Sequence, residues 1–321
     1  MPLFSTRPGR RPRLSRSLGD TQLDRVLGKV SKRGSGKAAD VELIGELLEE
    51  TGDDWDLRGH RVSVLAGAAA GTGVAETWLE RAPDDVDALV FHCWTTLVRA
   101  LEERRLDDTD TLITRCHRAA ELSPDDPLPW VVLLGTARVV RFDPKDVDAL
   151  WRQATGRDPW NREAFLQMLA LLSPEEGGSS ASVLDFVDAV RTRIPANAPC
   201  AAVELTAAVR QYQGLLAQGG MRAMTAGQLF ESGQLPAALD QAAALWPKPG
   251  FFQHAAAPAD LNVLAYALCA AGRAADAHPV FEALQGMVTP WPWDVDGDAV
   301  QRYEQYLAKS ERGRQGGIGG G

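Results

Sequence analysis

The sequence predicts an all-α protein built as an α-solenoid of stacked helical hairpins, and three observations carry that prediction. Three times a helix-like segment stops at a proline and restarts within a few residues, at Ala82-Pro83-Asp84-Asp85, Ser123-Pro124-Asp125-Asp126 and Asp158-Pro159-Trp160-Asn161. Proline has no N–H and clashes with the preceding turn, while the Asp or Asn behind it is suited to cap the next helix. The intervals between these prolines, 41 and 35 residues, fall among the periods of helical repeats, roughly 34 to 47 residues. From about Ala38 onward, apolar residues recur at helical spacing and no segment alternates convincingly as a strand.

Each helix is marked by its own stripe. Val41, Leu43, Ile44, Leu47 and Leu48 mark the first, and Val62, Val64, Leu65, Ala68 and Ala69 the second. Val86, Leu89, Val90, Cys93, Trp94, Leu97 and Leu101 line a longer helix that stops near Asp107-Asp108; its partner begins at Thr109 with Leu112, Ile113, Cys116 and Ala119. Neither hairpin buries its apolar face alone, so each must stack on a neighbour. Helices follow near 130–140, 147–154, 164–172 and 183–190, the last two separated by the loop Ser173-Pro174-Glu175-Glu176-Gly177-Gly178-Ser179-Ser180. A breaker cluster, Ile194-Pro195-Ala196-Asn197-Ala198-Pro199, divides the chain into halves at 38–195 and 196–312. The second half holds helices near 200–218, 221–232, 236–246, 259–272, 274–287 and a capping helix near 298–309. Residues 313–321 form a Gly-rich tail that cannot offset its ordering entropy and is expected to be disordered.

With 321 residues and 45% apolar content, the chain can bury a substantial core. The four cysteines, Cys93, Cys116, Cys200 and Cys269, lie far apart inside apolar helical patterns and read as small buried hydrophobes in a reducing compartment. No stretch approaches the roughly 18 apolar residues of a membrane span, and the N-terminal residues lack the apolar core of a secretion signal. The expected location is the cytoplasm. Charge is asymmetric: ten of the 34 Lys and Arg but only two of the 43 acidic residues fall in residues 1–37, so that arm carries +8 and the rest −17. Such an arm, with Arg7, Arg10, Arg11, Arg13 and Arg16, reads as a disordered segment that serves as a solubilising tail, binds nucleic acid, an anionic membrane or an acidic partner, or folds back on its own protein.

The segment 261–290 resembles a tetratricopeptide repeat. Gly272 stands at the turn; Leu264, Ala265 and Leu268 fall at packing positions of the first helix, and Ala277 and Phe281 at the small and aromatic positions of the second, with Pro290 one residue beyond the usual closing proline. Ala226, Leu229, Gly233 and Ala238 repeat part of this pattern one unit earlier. Pro279 departs from it, and must kink or delay the second helix. The stretch from Asp158 through Ala164 to Ser179 is also similar to a bacterial family of tetratricopeptide-like proteins without an assigned activity. The resemblance implies a degenerate array whose concave face binds a partner.

Motifs that carry chemistry fail on inspection. His92-Cys93 and Cys116-His117 offer zinc ligands, but a hairpin turning near 107 offsets the two cysteines by roughly 8 Å along the axis, too far for one ion. Asp294-Val295-Asp296-Gly297-Asp298 resembles the start of a calcium loop, yet Ala299 and Gln305 stand where Gly and Glu are needed, so its carboxylates are expected to cap the final helix. Gly34-Ser35-Gly36-Lys37 lacks the leading Gly and following Ser/Thr of a phosphate loop. His60, His92, His117, His254 and His278 read as surface or packing residues. No catalytic residue, metal or cofactor is implied. Most of the nine tryptophans are expected between hairpins, with Trp94 and Phe281 in the core. Trp291-Pro292-Trp293 cannot be regular helix and is expected either to line a binding surface or to dock the last helix. Asn262 and Tyr266 lie between the packing positions of their helix and are expected to face outward, beside Trp291 and Trp293, toward a protein or peptide partner.

Overall fold

The computed structural model describes residues 11–30 and 37–318. These residues form sixteen α-helices, three short 3-10 segments and one pair of two-residue strands. None of the described helices is long and apolar enough to cross a membrane. The contacts divide the chain into two compact units, one formed by Asp20–Cys200 and the other by Ala201 onward together with the segment up to Gly19.

The unit Asp20–Cys200 holds α1 (Thr21–Val30), α2 (Lys37–Thr51), α3 (Trp55–Ala69), α4 (Val74–Arg81), α5 (Val86–Glu103), α6 (Thr109–Leu122), α7 (Leu128–Thr136), α8 (Pro144–Arg157), α9 (Arg162–Leu171) and α10 (Ser180–Arg191). The three proline junctions end helices and carry the caps of the next ones. The Ala88 N–H donates to Asp85 at 2.8 Å, the Leu128 N–H to Asp126 at 2.7 Å and the Ala164 N–H to Asn161 at 3.0 Å. Each carboxylate or amide satisfies a donor that the first helical turn leaves without an intrahelical partner. Stacking follows a helical-repeat-like pattern: α3 packs on α5, α5 on α7 and α7 on α9, while α4 and α6 pair with α5 and α8 with α7. Gly135 lets α7 approach closely, since a Cβ there would lie 2.5 Å from a Leu97 methyl of α5 and 3.2 Å from the Gln167 oxygen of α9. Two buried arginines of α3 close the C-terminus of α2. Arg58 donates to the Leu48 carbonyl at 2.8 Å, and Arg61 donates to Leu47 O at 3.3 Å and to Thr51 Oγ1 at 2.7 Å.

The basic segment departs from the expected free arm. Leu23 and Val26 of α1 are buried, α1 packs on α2 and α3, and Asp20 accepts the N–H groups of Gln22 and Leu23 at 3.0 Å each. Arg61 also donates to Asp20 at 2.7 Å. An apolar stripe at positions 23, 26, 27 and 30 thus overrides the charge around it. Upstream, Arg13–Leu14 forms β1, paired in parallel with β2 (Met287–Val288) through Arg13 N–H to Gly286 O and Ser15 N–H to Val288 O, both 2.9 Å. This strand pair was not expected from the sequence, because two residues are too few to alternate. Arg7 and Arg10, like the Gly34-Ser35-Gly36 stretch, lie outside the described residues.

The second unit continues with α11 (Val203–Gln218), α12 (Gly220–Thr225), α13 (Leu235–Leu245), α14 (Ala257–Ala270), α15 (His278–Leu284) and α16 (Ala299–Ile318). The helix expected over 221–232 is instead split into α12 and a 3-10 segment, Ala226–Glu231. Pro279 delays its helix: α15 starts at His278 with the proline in its first turn, where no N–H is missed. The tail expected from 313 is helical as far as Ile318. Gly313 explains its docking, because a Cβ there would meet the Ala275 backbone at 3.3 Å, so only glycine allows this approach without adjustment.

Candidate functional site

The structure brings Asn262, Tyr266, Trp291 and Trp293 together, but as a buried hub and not as a groove. Asn262 is 0% and Trp293 1% exposed, and Tyr266 is also buried. The outward placement expected of Asn262 and Tyr266 is therefore corrected: α14 is packed by α11, α13, α15, α16 and β2, so its polar stripe is enclosed as well as its apolar one. The Asn262 amide donates to Pro258 O at 2.7 Å and to Met287 O at 3.1 Å, and its oxygen accepts the Trp293 indole N–H at 2.7 Å. Gln213 of α11 secures the same element, donating to Pro292 O and accepting the Trp291 indole N–H, each at 2.9 Å. Trp293 packs against Tyr303 and Tyr306 of α16, with ring centroids 5.3 and 5.7 Å away. The Trp-Pro-Trp element thus docks the last helix. Asp298 caps that helix, accepting the Gln301 N–H at 2.8 Å.

An open, polar surface lies instead on α4, α5 and α6. A cavity of about 500 Å³ is lined by Glu76, Leu79, Glu80, His92, Thr114 and Arg118, among others, and a second of about 240 Å³ lies at the α5–α6 turn. Arg115 lines both. Its Nη1 is 3.4 and 3.5 Å from the two ring nitrogens of His92. The neighbouring arginines are neutralised: Arg99 pairs with Glu76, Arg105 with Asp107 and Arg118 with Asp84. Among the described residues Arg115 forms no such pair. Its charge acts at longer range, helping to hold the Asp108 carboxyl below its ordinary value.

Beneath it lie Cys93 and Cys116, each 1% exposed and hydrogen-bonded to one another. The separation expected from the sequence is corrected here. The turn takes up residues 104–108, so the cysteines lie ten residues before the end of α5 and seven after the start of α6, an offset of only about 5 Å if both helices began level. The hydrogen bond from Cys116 holds the Cys93 thiol well below its ordinary range, against burial and with help from His92 and Arg115. Burial, with the charge on Cys93, pushes Cys116 up. The four residues still do not gather as zinc ligands: His92 turns toward Thr96 and Arg115, and His117 stacks edge-on against Trp130 at 5.5 Å. Among the described residues no group of three His, Cys, Asp or Glu is placed to hold a metal ion.

No family model, curated protein or solved structure matches this chain.

Proposed function

We propose that the chain is a non-enzymatic adaptor in the cytoplasm, a degenerate tetratricopeptide-like solenoid that binds another protein or peptide. The supporting observation is the groove over α4–α6, where a half-buried guanidinium that forms no salt bridge among the described residues sits among paired charges. Repeat stacks bind through extended surfaces of this kind. A lining of both signs suits a partner of mixed charge, recognised through charge complementarity that excludes wrong partners. The site differs from the one read from sequence, because the residues named there hold the other unit together.

A photo-crosslinking residue at exposed Thr114, compared with one at exposed Asp146 on α8, tests this in cells. A single protein is expected at Thr114 only, and the purified partner is expected to bind Arg115→Glu at least tenfold more weakly, about 1.4 kcal/mol. Equal adducts at both positions, or unchanged affinity in a variant with normal circular dichroism, would overturn the groove assignment.

Arg11, Arg13 and Arg16 support a second reading, since they are exposed and form no ion pair among the described residues. Held in register by β1, they would contact a nucleic acid or an anionic membrane. Binding to duplex DNA or to anionic vesicles that weakens steeply with salt, and is lost in the triple Ala variant, is the expected result; binding that ignores salt refutes it.

A further inference from the structure

Cys93 and Cys116 differ in their surroundings from Cys269. They face each other across the α5–α6 hairpin, thiol against thiol, whereas Cys269 is half-buried and its thiol is pushed up to about 12 by loss of water around it. Their electrostatic roles are split, because the thiolate is favoured on Cys93 and disfavoured on Cys116. A nucleophile and a resolving thiol differ in just this way. The pair itself is buried, but its helix neighbours reach the cavities: Leu89, Thr96 and Ala100 lie one or two helical turns from Cys93, Leu112 lies one turn from Cys116, and all four line the cavities. Arg115 of α6 adds positive charge that favours the Cys93 thiolate.

We propose that Cys93 and Cys116 form a hydroperoxide-sensitive dithiol that closes into a disulfide between α5 and α6. The Cys93 thiolate attacks one oxygen of hydrogen peroxide, the O–O bond breaks, and hydroxide leaves and takes up a proton as water. Cys93 then carries a sulfenic acid. Cys116 attacks that sulfur, the S–S bond forms, and the sulfenic oxygen departs as a second water with the Cys116 proton. Two thiols and one peroxide give one disulfide and two waters. The inference is independent of the adaptor reading, since it concerns the hairpin and not its partner.

The test treats the folded, full-length protein with limiting hydrogen peroxide, then unfolds it, alkylates the remaining thiols and maps the peptides by mass spectrometry. The expected product has lost two hydrogens, links Cys93 to Cys116 alone, and forms at least about tenfold faster than oxidation of Cys269, following thiolate character. Dithiothreitol returns both thiols. In Cys116→Ser, dimedone is expected to trap a sulfenic acid on Cys93, and in Cys93→Ser the Cys116 thiol is expected to stay reduced. Oxidation of Cys93 no faster than Cys269, or a linkage to another cysteine, overturns the proposal. Both results come from the wild-type protein, so the proposal does not depend on the variants folding.

Discussion

Replacing Asn262 by Leu isolates the polar hub from its packing. Leucine keeps the branching at Cγ and opens no cavity, but the change deletes three hydrogen bonds in a buried site and sets methyl groups where polar atoms sat at hydrogen-bond distance. Pro258 O keeps its helical partner within α14. The Trp293 indole N–H and the Met287 carbonyl are left with nothing to replace Asn262, and each orphaned buried group costs about 1–3 kcal/mol. The expected loss is therefore about 2–6 kcal/mol, confined to the unit that contains α11–α16. Urea unfolding followed by tryptophan fluorescence, with hydrogen exchange assigning the change to that unit, measures it. A double-mutant cycle with Trp293→Phe should return a coupling of about 0.5–3 kcal/mol. A loss below about 1 kcal/mol, or zero coupling, would refute the view that Asn262 is structural and return it to the candidates for a binding face.

Phe281→Ala should cost about 3–5 kcal/mol, because the ring is buried and packs on Tyr303 at 4.9 Å; unchanged melting would place it outside the core. Deleting residues 1–19 removes the two β1–β2 hydrogen bonds and should weaken the second unit by about 1–3 kcal/mol while sparing the first, as hydrogen exchange would report. Burial raises the Asp126 carboxyl from 3.8 to about 6. An acid raised on folding favours the fold while protonated, so this contribution is full below pH 3.8 and lost as pH climbs toward 6. Asp126→Asn, whose amide oxygen still accepts the Leu128 N–H, should match wild type near pH 3.5 and exceed it by at most roughly 3 kcal/mol above pH 6.5. A difference that does not change with pH would mean the carboxyl is not raised.

Helices were legible wherever a stripe and a cap coincided. The sequence starts α5 at Val86 and α6 at Thr109, as observed, because Asp85 and Asp108 cap clean apolar runs. Reading failed where composition overruled spacing. The stripe Leu23, Val26, Leu27, Val30 behind a capping Asp20 is a sufficient signal for α1, yet its basic surroundings suggested an arm. Asn262 and Tyr266 were misplaced for a different reason. A single hairpin pattern shows which residues meet the partner helix, but not that α11, α16 and β2 cover the remaining faces. The groove over α4–α6 depends on which charges find partners across three helices, and the Cys93–Cys116 contact on how much chain the turn consumes; neither is written in local spacing.

The strand pair has a consequence for how the chain is made. Arg13 and its partner Met287 lie more than 270 residues apart, and the unit Asp20–Cys200 is inserted between them. During synthesis that inserted unit is complete before β2 exists, so it can settle first, as domains do when they emerge from the ribosome. The segment 11–19 must then wait as an unpaired end until almost all of the chain has been translated. Joining two segments so distant would be slow for a random coil, and folding of the inserted unit removes its residues from the flexible loop that must close. Speed of maturation in this protein is thereby tied to the early success of its middle, and a variant that delays α2–α9 should hold back the hydrogen bonds of Arg13 and Ser15 without touching either residue.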